Sequence, residues 1–185
     1  MRYKVRPEKL ASFGRAPLML FAALRQFPKK MWLYECAPHL WSIHKTILHL
    51  ADTEASAYLC CRRYIAEQSS LDSQFDSARW AESLGYHHQS PREALEIYRR
   101  LRKTTYQLIV TLQEVAIANE VEHPIEGGPT LDAWLEDQES HILRHITQMN
   151  QIYDIWRRTH PPRKPASHSR RSNIASPTLV LHSVI

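Results

Sequence analysis

The sequence predicts an all-α protein, a bundle of four helices followed by a tail, and three observations predict it. Four stretches carry apolar residues at helical spacing, most of them have start or stop signals at their ends, and no strand-like alternation competes with them. A chain of 185 residues with 43% hydrophobic content can bury one real core. We expect one domain over residues 1–160 and a separate tail over 161–185.

Residues 1–16 are basic and weakly patterned, and Pro7 suits a short opening turn of helix. From Pro17 the spacing of Leu20, Leu24 and Phe27 fits a first helix with proline in its first turn and a stop at Pro28. A loop from Lys29 to Leu40, containing Pro38, follows. Ser42 is placed to cap a second helix running to about Glu67, although Lys45 stands where a capping box would have Glu or Gln. That helix has two apolar stripes, one through Ile43, Ile47 and Leu50 and one through Trp41, Leu48 and Leu59, so it is expected to be covered on two sides.

Residues 68–89 are long for a connection, and Asp76 to Ala81 can form one short helical turn carrying Trp80. Ser90-Pro91-Arg92-Glu93 joins an N-cap serine, a proline at the first helical position and the glutamate of a capping box. The third helix then runs to about Val115 on Leu95, Tyr98, Leu101, Leu108 and Leu112. Gly127-Gly128-Pro129 breaks structure, Thr130 caps a fourth helix with Asp132 in its first turn, and that helix stops before His160-Pro161-Pro162. The tail is rich in Ser, Pro and Arg and is expected to be disordered, with an apolar end at Leu179 to Ile185 that is read as a loose end.

The formal charge of +5 suggests a polyanion partner until it is located. Arg163, Lys164, Arg170 and Arg171 lie in the tail without an acid, leaving 20 basic residues against 19 acids in residues 1–160. A nearly neutral body argues against a nucleic-acid-binding face. Cysteines 36, 60 and 61 form no C-x-x-C pair and are odd in number, which fits reduced thiols in the cytoplasm. The first residues lack the apolar core of a signal peptide, and the run Leu18 to Leu24 is too short to span a bilayer.

The chemistry concentrates on the fourth helix. Leu131, Trp134, Leu135, Ile142, Met149, Ile152 and Trp156 share one side, and Gln138, His141 and His145 fall within or at the edge of that arc. Four residues along a helix amount to about 6 Å of rise and 40° of rotation, so the two imidazoles can address one ion or one water. Eleven histidines give about 0.6 such pairs by chance, so the spacing alone is weak and the placement on a buried arc counts for more. Buried imidazoles need partners: a metal, or hydrogen bonds to backbone, Gln138 or Gln148. A metal would require a ligand from another helix. His49 is one candidate, yet its angular position groups it with Lys45, Asp52, Ser56 and Arg63 as a solvated residue. His39, His44, His87, His88 and His123 are others.

Trp41-Ser42-Ile43, Leu48-His49-Leu50-Ala51-Asp52-Thr53-Glu54 and His141-x-x-x-His145-x-x-Gln148, in this order and at this separation, resemble the DinB-like (YfiT-like) superfamily of four-helix bundles. The resemblance covers roughly residues 15–156. It implies a divalent metal, zinc or nickel first and iron, copper or manganese also compatible, held by His49, His141 and His145. It further implies hydrolysis of a small-molecule substrate or transfer of a low-molecular-weight thiol. Three neutral imidazoles leave a coordination position open, as in catalytic rather than structural zinc sites. Gln148 is placed to orient a ligand or its water, or to bond between helices. Asp52 suits a supporting or capping role, and Glu54 and Asp137 are the candidate general bases. Cys60 and Cys61 read as core thiols. Where many members have an acid this chain has Lys45, and where many have a further histidine it has Arg144. The competing reading is a non-catalytic bundle that binds a small ligand or metal, or serves as an interaction homodimer.

Overall fold

The computed structural model describes residues 5–37, 40–67, 71, 76–119 and 130–161, with side chains left aside for 115–119. Among these described residues there are five α-helices: α1 (Pro7–Leu24), α2 (Ile43–Glu67), the short α3 (Ser77–Ser83), α4 (Pro91–Asn119) and α5 (Leu131–Thr159). Short 3-10 turns at Lys29–Met31 and Tyr86–His88 complete the order, and there is no strand among the described residues. The disorder expected of the tail, its apolar end, the Gly-Gly-Pro break and Pro38 all lie outside the described residues.

Capping follows the sequence closely. The Lys45 N–H donates to Ser42 Oγ (3.3 Å), Glu93 N–H to Ser90 Oγ (3.4 Å), and Ala133 N–H to Thr130 Oγ1 (3.1 Å). Each hydroxyl thus satisfies an amide that the first helical turn leaves without a partner. Asp76 caps α3 in the same way through Arg79 N–H at 3.0 Å.

The first helix departs from expectation. It starts at Pro7, ten residues before Pro17, passes through Pro17 in its interior and ends at Leu24 rather than at Pro28. A mid-helix proline forfeits a backbone hydrogen bond, but Phe13, Ala16, Pro17 and Leu20 are buried here and hold the segment straight through. The basic N-terminal stretch is matched to acids of α5: Arg6 reaches Asp132 (2.8 Å) and Glu136 (3.1 Å), and Lys9 reaches Glu136 and Glu139 (3.3 and 3.4 Å). These partners lie about 130 residues away, beyond the reach of local pattern. Only four residues longer than expected, α4 ends at Asn119.

Helix directions follow from which ends share a core. One apolar cluster joins the end of α1 (Leu20), the start of α2 (Ile47), the start of α4 (Tyr98) and the end of α5 (Met149). A second joins the start of α1 (Phe13), the end of α2 (Cys61), the later part of α4 (Ile109) and the start of α5 (Leu135). Hence α1 and α5 run one way and α2 and α4 the other. The most extensive packing is within these two parallel pairs, α2 on α4 and α1 on α5, leaving α2 and α5 in sparser contact. Parallel neighbours need a return connection, and α2 with 25 residues is about 37 Å long. The connection between Glu67 and Pro91 has that distance to recover, which accounts for its length. Gly85, with φ at 58°, makes the left-handed turn that lets the chain leave α3 and insert Tyr86, fully buried, against α2.

Between the two apolar clusters lies a polar layer of Glu54, Arg102, Thr105 and Gln138, all buried. Arg102 Nε donates to Glu54 Oε2 at 2.9 Å, with Nη2 on the same oxygen. The guanidinium lies 4.0 Å from the ring centre of Phe13. Burial raises the Glu54 carboxyl's affinity for its proton against the pull of Arg102.

Candidate metal centre

The polar layer borders the sparsely packed seam between α2 and α5, and there three imidazoles converge. His49 enters from the second turn of α2, and His141 and His145 come from successive turns of α5. His141 Nε2 lies 3.3 Å from His49 Nε2 and 3.1 Å from His145 Nε2. One ligand atom from each of the three residues falls within 4.8 Å of the others.

The donor set can be tested for fit to a metal. An ion bonding imidazole nitrogens at about 2.0–2.1 Å in a tetrahedral arrangement sets those nitrogens roughly 3.3–3.4 Å apart. The two short separations lie close to that value. The tautomers agree as well: His145 Nδ1 is 3.2 Å from Gln148 Oε1, an oxygen that can only accept, so Nδ1 carries the proton and Nε2 turns its lone pair inward. Burial, followed by the positive charge His145 would carry, pushes His49 down to about 4. Burial, followed by charge on His145 and His49, pushes His141 down to about 3. Burial also lowers His145, with the Gln148 bond opposing it. All three are therefore neutral at pH 7 with lone pairs to offer.

The surroundings hold His49 in place. Trp41 meets its ring edge to face at 5.2 Å, and Thr53 Oγ1 lies 3.4 Å from its Nε2. His49 is only 6% exposed, which corrects its assignment to the solvated arc of α2. It stands at the margin of the polar face, where α5 and Trp41 cover it, and helical periodicity cannot register a neighbour arriving from 92 residues away.

The other candidates separate from the cluster. His44 is buried and its Nε2 donates to the Tyr86 carbonyl at 3.0 Å. His87 and His88 are exposed and lie against each other, ring centres 3.8 Å apart. His39 and His123 lie outside the described residues. Asp52 accepts from the Tyr86 hydroxyl at 2.5 Å and so ties the crossover to α2, the structural one of the roles open to it. Glu54 is committed to Arg102, and Asp137 is exposed. Cys60 and Cys61 are buried, and burial pushes the Cys61 thiol up to about 12, which makes it inert. Sequence reasoning missed Arg102 and Tyr86 as shapers of the site. An arginine on the same helical stripe as Tyr98 and Ile109 was the available signal for the first.

Two parallel helix pairs with three convergent imidazoles across their open seam define a class of helical bundles with a ready-made ligand cluster. The chain belongs to the DinB superfamily, whose family model matches residues 12–149. It is 28% identical over 116 residues to a protein of Oceanobacillus iheyensis described as a candidate metal-dependent hydrolase. The match covers 59% of this chain and 64% of that protein, less than two thirds of its length. The fold is similar to that of YfiT from Bacillus subtilis, described as a candidate metal-dependent hydrolase with an unusual four-helix bundle topology. The TM-score is 0.66 at 18% identity, over 84% of this chain and 92% of that one. Among the described residues no helix is long and apolar enough to cross a membrane.

Proposed function

We propose that His49, His141 and His145 hold a divalent metal ion through Nε2, and that the protein is a metal-dependent enzyme acting on a small molecule in the cytoplasm. The observation that carries this reading is the approach of His141 Nε2 to both His49 Nε2 and His145 Nε2, at 3.3 and 3.1 Å, near the spacing a tetrahedral ion requires, with the three ligand groups within 4.8 Å of one another. The descriptions of the two relatives support it. An all-imidazole set suits zinc or nickel, and also iron or copper, while manganese, which favours oxygen ligands, is the poorest fit. A bound ion of this kind supplies Lewis acidity at an open coordination position, lowering the pKa of a water or a small thiol held there.

The chain's own residues have distinct parts. Gln148 fixes the tautomer of His145, so that its Nε2 is always the ligating atom. Trp41 packs edge to face on the His49 ring, and Thr53 Oγ1 lies beside both of its nitrogens. Glu54 accepts from Arg102 and is not free to take a proton from a substrate. Hydrolysis at this site then draws its proton acceptor from solvent, from the substrate or from the exposed Asp137 one turn before His141, and thiol transfer needs none beyond the ionised thiol itself.

Metal content decides the reading. Wild type purified without chelator and incubated with zinc, nickel or manganese is expected to retain about one ion per chain, and His141→Ala to retain far less. Equal, near-zero content in both would sink the proposal. Ester, amide and thiol-conjugation substrates then separate catalysis from the alternative of a non-catalytic metal- or ligand-binding bundle. Activity surviving in His49→Ala would contradict the assignment.

A further inference from the structure

The solvent edge of the histidine cluster on α5 carries an exposed cation, Arg144, and an exposed acid, Asp137, one turn before His141. His141, His145 and Gln148 are part exposed along α5, and Arg144, exposed between the two histidines, flanks them on the side facing solvent. Its helical neighbours one turn away are Ser140, His141, Thr147 and Gln148, none of them acidic. Arg144 forms no ion pair among the described residues. Across the seam, Lys45 lies one turn before His49 on α2 and reaches Glu35 at 2.7 Å, a half-exposed pair that solvent screens. The carboxylates of α2 nearest in sequence to His49 are both engaged, Asp52 by Tyr86 and Glu54 by Arg102.

A divalent ion on three neutral ligands adds two further positive charges to this edge, and no carboxylate in the ligand set offsets them. We propose that the metal-loaded histidine cluster takes a small organic anion, a carboxylate-bearing molecule whose negative group is met by the Arg144 guanidinium. This rests on the metal-site reading. The planar guanidinium offers paired N–H donors that match a carboxylate's two oxygens. Trp41, half-buried and standing edge to face with both His49 and Tyr86 (5.2 and 6.4 Å), supplies a flat apolar wall for the body of such a ligand. Arg144 thereby acts as a specificity residue that selects charge and leaves the reaction at the ion untouched.

Benzoate and benzamide have nearly the same shape and differ in charge, which makes them the probes. Each is titrated calorimetrically into the zinc-loaded full chain, with zinc content measured on the same samples. Wild type is expected to bind benzoate more tightly than benzamide. Arg144→Gln weakens benzoate about five- to tenfold, the scale of an exposed but charge-assisted pair, and leaves benzamide unchanged. Arg144→Lys retains part of the preference and Arg144→Glu reverses it. Benzoate binding that is the same in wild type, Arg144→Gln and Arg144→Glu overturns the inference, as does a wild type with no preference for the anion. A chain that takes up no zinc defeats the metal reading by itself. Benzoate titrated into the metal-free chain then decides about Arg144: weaker binding in Arg144→Glu sustains its role, and equal binding ends it.

Discussion

Glu54→Gln is expected to be among the most damaging conservative substitutions in this protein, because it leaves the Arg102 guanidinium buried without its counter-charge. The two side chains are 2% and 3% exposed, and both Arg102 contacts fall on the one oxygen Glu54 Oε2. At about 4 Å and an effective dielectric constant near 20, the attraction between the charges is about 4 kcal/mol. Breaking a buried pair from one side costs about 3–5 kcal/mol, against a total stability of roughly 5–15 kcal/mol. For a chain of this size each kcal/mol moves the midpoint by about 2–4 °C, so the single variant should melt about 6–20 °C lower. Arg102→Met is expected to cost a similar amount, since it strands the carboxylate instead. The double variant Glu54→Leu/Arg102→Met removes both charges and is expected to recover most of the loss. Urea unfolding followed by helical circular dichroism measures all four corners of this cycle. Single variants within 1 kcal/mol of wild type, or a double variant as unstable as the two losses added, would refute the account of the polar layer as a mutually compensated pair.

Two further outcomes follow from the histidine cluster. In the metal-free protein His49 and His141 have folded-state pKa values of about 4 and about 3, below the 6.5 of the free side chain. Between those limits the unfolded chain binds more protons, so stability falls as pH drops. The expected loss is about 1.5 kcal/mol for each histidine between pH 6.5 and 5. Unfolding titrations at the two pH values should show this slope in wild type and a flatter one in His49→Gln/His141→Gln; parallel slopes would contradict the burial argument. Gln148→Ala removes the acceptor that fixes the His145 tautomer and is expected to weaken zinc binding about 10–100-fold at unchanged thermal stability in the metal-free state. Competition with a chromophoric chelator reads this directly, and an unaltered affinity would assign Gln148 no part in the site.

Local signals in the sequence set most of the helices. The caps at Ser42, Asp76, Ser90 and Thr130 are chemistry that one helical turn performs alone, and each begins its helix where the residue type indicates. The imidazole pair on α5 was legible for the same reason, since residues four apart on one helix share a face whatever surrounds them. Tertiary structure decided the rest. Pro17 reads locally as a helix start, and only the burial of its neighbours and the ion pairs from Arg6 and Lys9 to α5 carry α1 back to Pro7. The parallel pairing of α2 with α4 is set by which apolar ends share a cluster, and an amphipathic stripe looks the same in either direction. His49 shows the limit most plainly. Periodicity places it among Lys45, Asp52 and Ser56, at the edge of a polar face, and whether an edge position is wet or buried depends on a partner from elsewhere in the chain. When α5 and Trp41 close over it, the same imidazole becomes the third member of the cluster, because packing between helices is a property of their surfaces taken together and one helix's sequence holds only half of it.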